Sequence, residues 1–492
     1  MYRLLAQIGL VLFACLFAST AGAQMSGQVA AFTDLPQRVN LNPALRPSSN
    51  VNVGIPFLSN VYVEQSNNWF RPSRHLSIDD QGSAEIRAES LINDIGREAF
   101  TGFGVSLELA HVALGFGDHY FHFRMAERVQ GAMAIPVDAL ALATYGNIGN
   151  YAYEDHTANL SGLRADVMHF REYALGYSMR ISEELSVGLT AKYLYGMEAF
   201  RTAQSSLKLR TDPLSYEMRS SGALLFNTSG LGLGEEGENV RDNAGRYLTG
   251  LSNHGLAFDL GVSYRPIDAL EISFAANDIG FIHWRQDVAN FGTESADFAF
   301  SGIDFTEFIF LQGGDYDTAL EAEIDAIAAE AEEAFGFESS HESFRSSMFS
   351  FLNYGASYQV IPSERFAGSA WVHVMHAVGH RNLPTRLSLG YRQNVSKILQ
   401  VGLHYSKQSN DLGFVGGGFT LNASFFQLFF MMENANIFRW SRYQQMGTEA
   451  EGQQSKHSAY VVPRNASDVR IHFGMNLTFG RSKSLPGGNR RR

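Results

Sequence analysis

The sequence predicts an all-β fold: a transmembrane antiparallel β-barrel of about 14–18 strands with short helical plug or loop elements. Three observations predict it. Apolar residues recur at every second position in segment after segment, which gives a strand two unlike faces. Many of these segments run for about 9–13 residues, enough to cross a bilayer when tilted, and short turns alternate with long polar connections. The chain also opens like an exported protein, and 12% of its residues are aromatic.

Residues 1–23 read as an export leader. Met1-Tyr2-Arg3 supplies a charged start, residues 4–18 are apolar apart from Gln7 and Gly9, and Ala21-Gly22-Ala23 precedes Gln24. A rival reading makes Cys15 an acylated lipoprotein cysteine, but bulky Phe13 and the apolar residues after Cys15 argue against it. Cys15 is the single cysteine. Cleavage behind Ala23 therefore leaves a mature chain that backbone pairing and packing must hold without disulfides. Length alone would allow two or three soluble units. The formal net charge of −12 argues against nucleic acid as a partner, because phosphate binding needs a basic face.

Residues 24–50 form an N-terminal segment suited to a plug or to the periplasm. It contains Leu41-Asn42-Pro43-Ala44-Leu45, where Pro suits a first helical turn and Asn its cap. By itself that motif means a turn or short helix. Residues 51–480 form the barrel. The clearest alternation is Leu256, Phe258, Leu260, Val262 and Tyr264 against Ala257, Asp259, Gly261, Ser263 and Arg265. It recurs at Tyr173–Ile181, Leu185–Tyr193, Leu387–Tyr391, Leu399–Tyr405 and Ile471–Phe479. Which face looks inward depends on register. Tight turns are read at Ser182-Glu183-Glu184, Pro266-Ile267-Asp268 and Asn394-Val395-Ser396-Lys397, and long connections at 227–253, 285–294 and 439–467.

Helical insertions are read near 84–99 and 317–335, and a shorter helix at Val137–Tyr145 after Pro136. The stripe Leu320, Ile324, Ile327, Ala331 and Phe335 beside Glu321, Asp325, Glu332 and Glu333 marks an acidic amphipathic helix, either a docking lid or a solvated loop cap. Residues 481–492 form a basic flexible tail ending in Arg490-Arg491-Arg492.

Tests for chemistry return no catalytic, cofactor-binding or metal residues. Gly232-Leu233-Gly234-Glu235-Glu236-Gly237 has the dinucleotide spacing, yet lies in an acidic loop that would repel a pyrophosphate. His373, His376 and His380 have suggestive spacing, but a strand sends 373 and 376 to opposite faces. Neither H-E-x-x-H nor G-x-S-x-G occurs. Asn465-Ala466-Ser467 is idle in a bacterial outer membrane. Trp284, Trp371 and Trp440 read as girdle or loop residues.

Asn42-Pro43-Ala44-Leu45-Arg46-Pro47, just before a first strand, resembles the start of FadL-type transporters of hydrophobic compounds. Four blocks together resemble an uncharacterised Bacteroidota outer-membrane barrel family, a domain of unknown function. They are Leu58-Ser59-Asn60-Val61, Lys192-Tyr193-Leu194-Tyr195-Gly196-Met197-Glu198, Asn227-Thr228-Ser229-Gly230 and Asn277-Asp278-Ile279-Gly280-Phe281-Ile282-His283-Trp284. The family-like positions are Asn42, Pro43, Ala44, Asn277, Asp278, Gly280, Phe281 and Trp284. The resemblance implies a barrel in the bacterial outer membrane and brings no catalytic residues with it. A looser resemblance links it to accessory barrels of type IX secretion.

The expected function is passive uptake or binding of a small hydrophobic or amphipathic compound, with outer-membrane lipid as surroundings and no cofactor. The alternative is a structural or secretion-accessory barrel that binds protein through its long loops. A barrel hydrolase would need a Ser–His pair or a carboxylate cluster at the rim.

Overall fold

The computed structural model describes residues 27–78, 84–147, 151–233, 253–293, 298–300, 338–363, 366–379, 383, 385–409, 413–434, 440–444, 459–463 and 468–481. Fourteen antiparallel strands close into a barrel. The first, β1, is broken into Ser49–Gly54 and Val61–Asn67. It is followed by β2 (Glu98–Phe116), β3 (His119–Pro136), β4 (Arg164–Arg180), β5 (Leu185–Ser205), β6 (Asn253–Ile267) and β7 (Leu270–Trp284). Then come β8 (Ser350–Ile361), β9 (Gly368–Val378), β10 (Arg386–Asn394), β11 (Leu399–Gln408), β12 (Phe414–Ala423), β13 (Phe426–Glu433) and β14 (Asp468–Arg481). Each strand pairs with the next, and β14 closes on β1, with Phe479 opposite Val51 and Phe473 opposite Val61. Closure leaves no open edge, as a sheet in lipid requires.

Side-chain exposure is inverted relative to a soluble sheet. Along β6, Leu256, Phe258 and Leu260 are 52%, 45% and 51% exposed, while Ala257 and Asp259 between them are 0% and 1% exposed. Tyr177, Leu189, Ile272, Phe274, Leu389, Leu403 and Val415 are likewise exposed, whereas Lys192, Glu172, His404 and Asn476 are buried. In water, leaving each such aliphatic or aromatic side chain out would forfeit about 1.5–3 kcal/mol. In a bilayer the same outward band is the stable arrangement. The register therefore puts the apolar face outward and the polar face inward, which excludes a soluble sandwich. No described helix is long and apolar enough to cross a membrane.

The tight turns gather at one end. Gly117 takes φ +56° between β2 and β3, a conformation cheap only for glycine. Ser182 Oγ accepts the N–H groups of Glu184 and Leu185 between β4 and β5, and Ser396 Oγ accepts those of Ile398 and Leu399 between β10 and β11. These side chains substitute for ladder partners where each strand reverses. The other end carries the long connections, and these hold strands of their own. Leu224–Ser229 pairs with β5 and with Val288–Thr293, continuing the wall beyond the barrel. Thr157–Asn159, Lys208–Thr211, Met218–Ser221 and Phe298–Phe300 form a four-stranded sheet there.

Several expectations change. The helix read over 84–99 shrinks to Ala88–Asp94, because Ala84–Ile86 pairs as a strand with Leu76–Ile78 and β2 begins at Glu98. The helix Val137–Tyr145 keeps its limits. The acidic stripe of 317–335, His380 and Asn465-Ala466-Ser467 lie outside the described residues, as does most of the glycine motif at 232–237. Trp284 and Trp371 are not girdle residues: they are 0% and 7% exposed and point into the lumen. The side chain of Trp440 lies outside the described residues.

Candidate functional site in the barrel lumen

The lumen is filled in three layers. At the tight-turn end, residues 27–48 fold inward as two single-turn helices, Gln28–Ala31 and Arg38–Leu41, followed by a turn. Val29, Phe32 and Leu35 pack on Phe429 and Met431 of β13. Val39 packs on Ala113 of β2 and Tyr120 of β3, and polar contacts add to these. Gln37 Nε2 donates to Ser59 O and Asn476 Oδ1, both at 2.9 Å. Gln400 Nε2 donates to Asp34 Oδ2 at 2.9 Å. Arg38 lies 3.6 Å from Glu271 of β7, and burial in the lumen holds its guanidinium below the usual range.

Asn42-Pro43-Ala44 forms a turn rather than a helix start. Asn42 Oδ1 accepts the N–H of Ala44 at 2.9 Å, and its Nδ2 donates to the carbonyls of Val262 and Phe274 at 3.2 and 3.0 Å. The turn sits on two wall glycines that pair across β5 and β6, Gly188 and Gly261. A Cβ on Gly261 would come within 2.0 Å of Asn42 Oδ1, and one on Gly188 within 2.4 Å of the Pro43 carbonyl carbon. Only glycines allow the plug to lie this close to the wall.

Above the plug runs a belt of buried charge. Arg128 of β3 binds Glu172 of β4 at 2.6 Å and Asp278 of β7 at 2.9 Å. Lys192 of β5 binds Asp259 of β6 and Asp278, each at 2.6 Å. Arg124 also pairs with Glu172. The opposite wall has Arg470 on Glu433 at 3.1 Å, with Glu64 and Asp468 as further partners, and Arg386 within 3.6 Å of Glu64. Three cations meet three carboxylates in the first group, so each charge removed from water is compensated. The sequence pattern does not single out this belt. Its signal is a charged residue at the polar phase of consecutive strands, and only folding shows that those positions share one level.

On the long-loop side of the belt the inward face turns apolar. Met168, Phe170, Leu194, Ile282, Trp284, Phe344, Met348, Phe349, Phe351 and Met375 form one cluster, all under a tenth exposed. Trp284 packs where a Cβ on Gly196 would come within 2.6 Å of its ring, and its Nε1 donates to Ser346 Oγ at 3.1 Å.

The belt and the cluster meet at Asp278. This residue takes φ +57°, and the β6–β7 register slips there, with Phe258 opposite Ile279 but Leu260 opposite Ala276. The bulge turns Asn277 and Asp278 inward together. It also switches the phase of β7, so that Ile272 and Phe274 face lipid below it and Ile279 and Phe281 above it. Trp284 is inward for that reason. Asn277 bonds both Asn353 and the plug, donating to Asn40 O at 3.3 Å. Gly280 lies so close to β6 that a Cβ would approach Leu256 O within 2.1 Å. Of the family-like positions, Asn277, Asp278 and Trp284 thus belong to the lumen, Asn42, Pro43 and Ala44 to the plug, and Phe281 to the outer wall.

His373 is buried and His376 exposed, on opposite faces of β9. Among the described residues no group of three or more metal-ligating side chains comes together. Among the described residues one Ser–His pair lies at the rim, His283 Nε2 and Ser343 Oγ at 3.3 Å. Arg285 Nε donates to His283 Nδ1 at 3.2 Å, which places the ring proton on Nε2. A histidine in that tautomer donates to the serine and does not accept its proton.

The chain belongs to a family of unknown function (DUF5723), whose model matches residues 43–433. No curated protein matches it. Among solved structures it is similar to a Pseudomonas aeruginosa FadL homologue, at 12% identity and a TM-score of 0.42 over 94% of this chain and 100% of that one. It is also similar to the Pseudomonas putida toluene transporter TodX, at 9% identity and a TM-score of 0.39 over 94% of this chain and 96% of that one.

Proposed function

We propose that this chain is an outer-membrane barrel, exported by a cleaved leader, that admits or binds a small apolar or amphipathic compound through its long-loop mouth and performs no catalysis. The observation that carries this reading is the apolar cluster around Trp284. A barrel of this width fills its inward positions largely with polar groups, as the belt layer does here. The loop-side layer instead gathers Phe, Met and Trp into the largest apolar cluster among the described residues, and this makes it the part of the lumen that an apolar compound enters at least cost. Met168, Met348 and Met375 belong to it, and methionine repacks around an incoming group more readily than branched side chains. The charged belt beneath it repels apolar matter, and the plug closes the far end.

The test is a variant in which Trp69, Trp371 and Trp440 are replaced by Phe, leaving Trp284 as the sole reporter. Naphthalene added to the folded barrel in detergent should change its fluorescence saturably, and Met348→Glu should abolish the change. A linear, unsaturable response equal in both proteins would sink the reading.

A second reading, protein binding through the loop end, rests on one hairpin. Leu214 and Tyr216 at its tip are 90% and 57% exposed, and the Asp212 carboxylate holds the tip by accepting the N–H groups of Leu214 and Ser215, both at 2.9 Å. Those backbone donors also hold that carboxyl below the usual range. Photo-crosslinking from position 214 in intact cells should then trap one protein. A blank lane would count against it.

A further inference from the structure

The outer wall of β5, β6 and β7 carries a patch that the lumen does not use. Register sets it out in rows. Leu256 pairs with both Tyr193 and Phe281, so these three form an apolar row facing lipid. One row nearer the long loops, His254 pairs with Tyr195 and His283, and His283 pairs with Arg345. Arg285 follows on the same phase of the chain beyond β7 and bonds His283. Arg201 of β5 donates to the Arg345 carbonyl at 2.8 Å. The chemistry therefore changes from aromatic to basic within one residue pair, at the edge of the apolar band.

His254, Arg285 and Arg345 are exposed. The Arg345 guanidinium lies over the Phe281 ring at 4.9 Å. Arg201 has Asp166 at 3.9 Å, while among the described residues Arg285 and Arg345 form no ion pair. In a chain of net charge −12, this is a local excess of positive charge at the level where lipid headgroups lie. Guanidinium forks match phosphate oxygens geometrically, and the ring beneath Arg345 pre-orients its fork.

We propose that Arg285 and Arg345, with Arg201, His254 and His283 around them, bind the phosphate groups of lipids in the leaflet on the long-loop side. The ligand is a phosphorylated membrane lipid, held by its acyl chains along the Tyr193–Leu256–Phe281 row and by its phosphate at the basic row. This site lies on the outside of the wall and does not depend on what enters the lumen.

The full mature chain is placed in phosphatidylcholine nanodiscs with and without added phosphatidic acid, and retained lipid is counted by native mass spectrometry. Wild type should retain phosphatidic acid over phosphatidylcholine by about thirtyfold, from about 1 kcal/mol for each of the two arginines near the surface. R285Q/R345Q should bring the two lipids close to parity, and R285K/R345K should restore most of the preference. Lys407→Gln, exposed on β11 across the barrel, should leave it unchanged. All variants are compared as folded, heat-modifiable bands. An unchanged preference in R285Q/R345Q would overturn the proposal. So would loss of the preference in K407Q, or displacement of the lipid by millimolar inorganic phosphate, which would make the site one for free anions.

Discussion

Asp278 joins three tasks that a single residue seldom holds together. Its left-handed backbone makes the bulge, its carboxylate compensates Arg128 and Lys192 at 2.9 and 2.6 Å, and its position resets the phase that sends Trp284 inward. Removing one partner from a buried charge group costs about 3–5 kcal/mol, because the others stay buried without it. Asp278→Ala should therefore lower the stability read from the denaturant midpoint of the folded gel band by that amount. Asp278→Gly keeps the backbone conformation and should lose nearly as much. If glycine were tolerated while alanine was not, relief of backbone strain would outweigh the lost charge. The sequence placed Asp278 in a notable block but could not show its role. Period-two alternation carries no mark of an extra residue, and the misplacement of Trp284 follows from that one unseen bulge.

At the scale of the element, the N-terminal segment acts as a plug because its contacts are specific. Asn42-Pro43-Ala44 was legible as a turn or short helix, but its seat was not, since Gly188 and Gly261 look like any other strand glycines until the plug lies on them. Gly188→Leu should eject the plug without unfolding the wall. Cys15 is the only cysteine and would leave with the proposed leader, so Ala44→Cys in a Cys15→Ser background provides a clean reporter in either case. In the Ala44→Cys background, a membrane-impermeant maleimide should label this 3%-exposed position slowly, and the added Gly188→Leu should raise labelling about tenfold or more. Equal labelling of both would mean that the turn is not seated on the glycines. The tight turns at Ser182 and Ser396 are legible in the sequence because their chemistry is local. The long connections look like plain loops there, although Leu224–Ser229 and Val288–Thr293 extend the wall, because pairing between distant short segments leaves no local trace.

For the whole molecule, the barrel was legible because one constraint repeats along the chain: lipid outside, polar filling inside. What the pattern could not supply was the direction of each face. That comes from closure, which turns Leu256, Phe258 and Leu260 to lipid and Asp259 to the belt. The layering of plug, charge and apolar cluster was likewise hidden, since it depends on the height at which strands of different lengths meet.

The membrane barrel and its inward polar face are tested most directly with single spin labels at positions 254 to 264 of β6 in reconstituted membranes. Quenching by dissolved oxygen and by a water-soluble nickel chelate is measured at each. A period of two is expected, with positions 256, 258, 260 and 262 accessible to oxygen and shielded from the chelate, and 257, 259 and 261 shielded from both by the packed lumen. Uniform accessibility to the chelate, or oxygen accessibility at the odd positions instead, would contradict both the barrel and the direction of its faces.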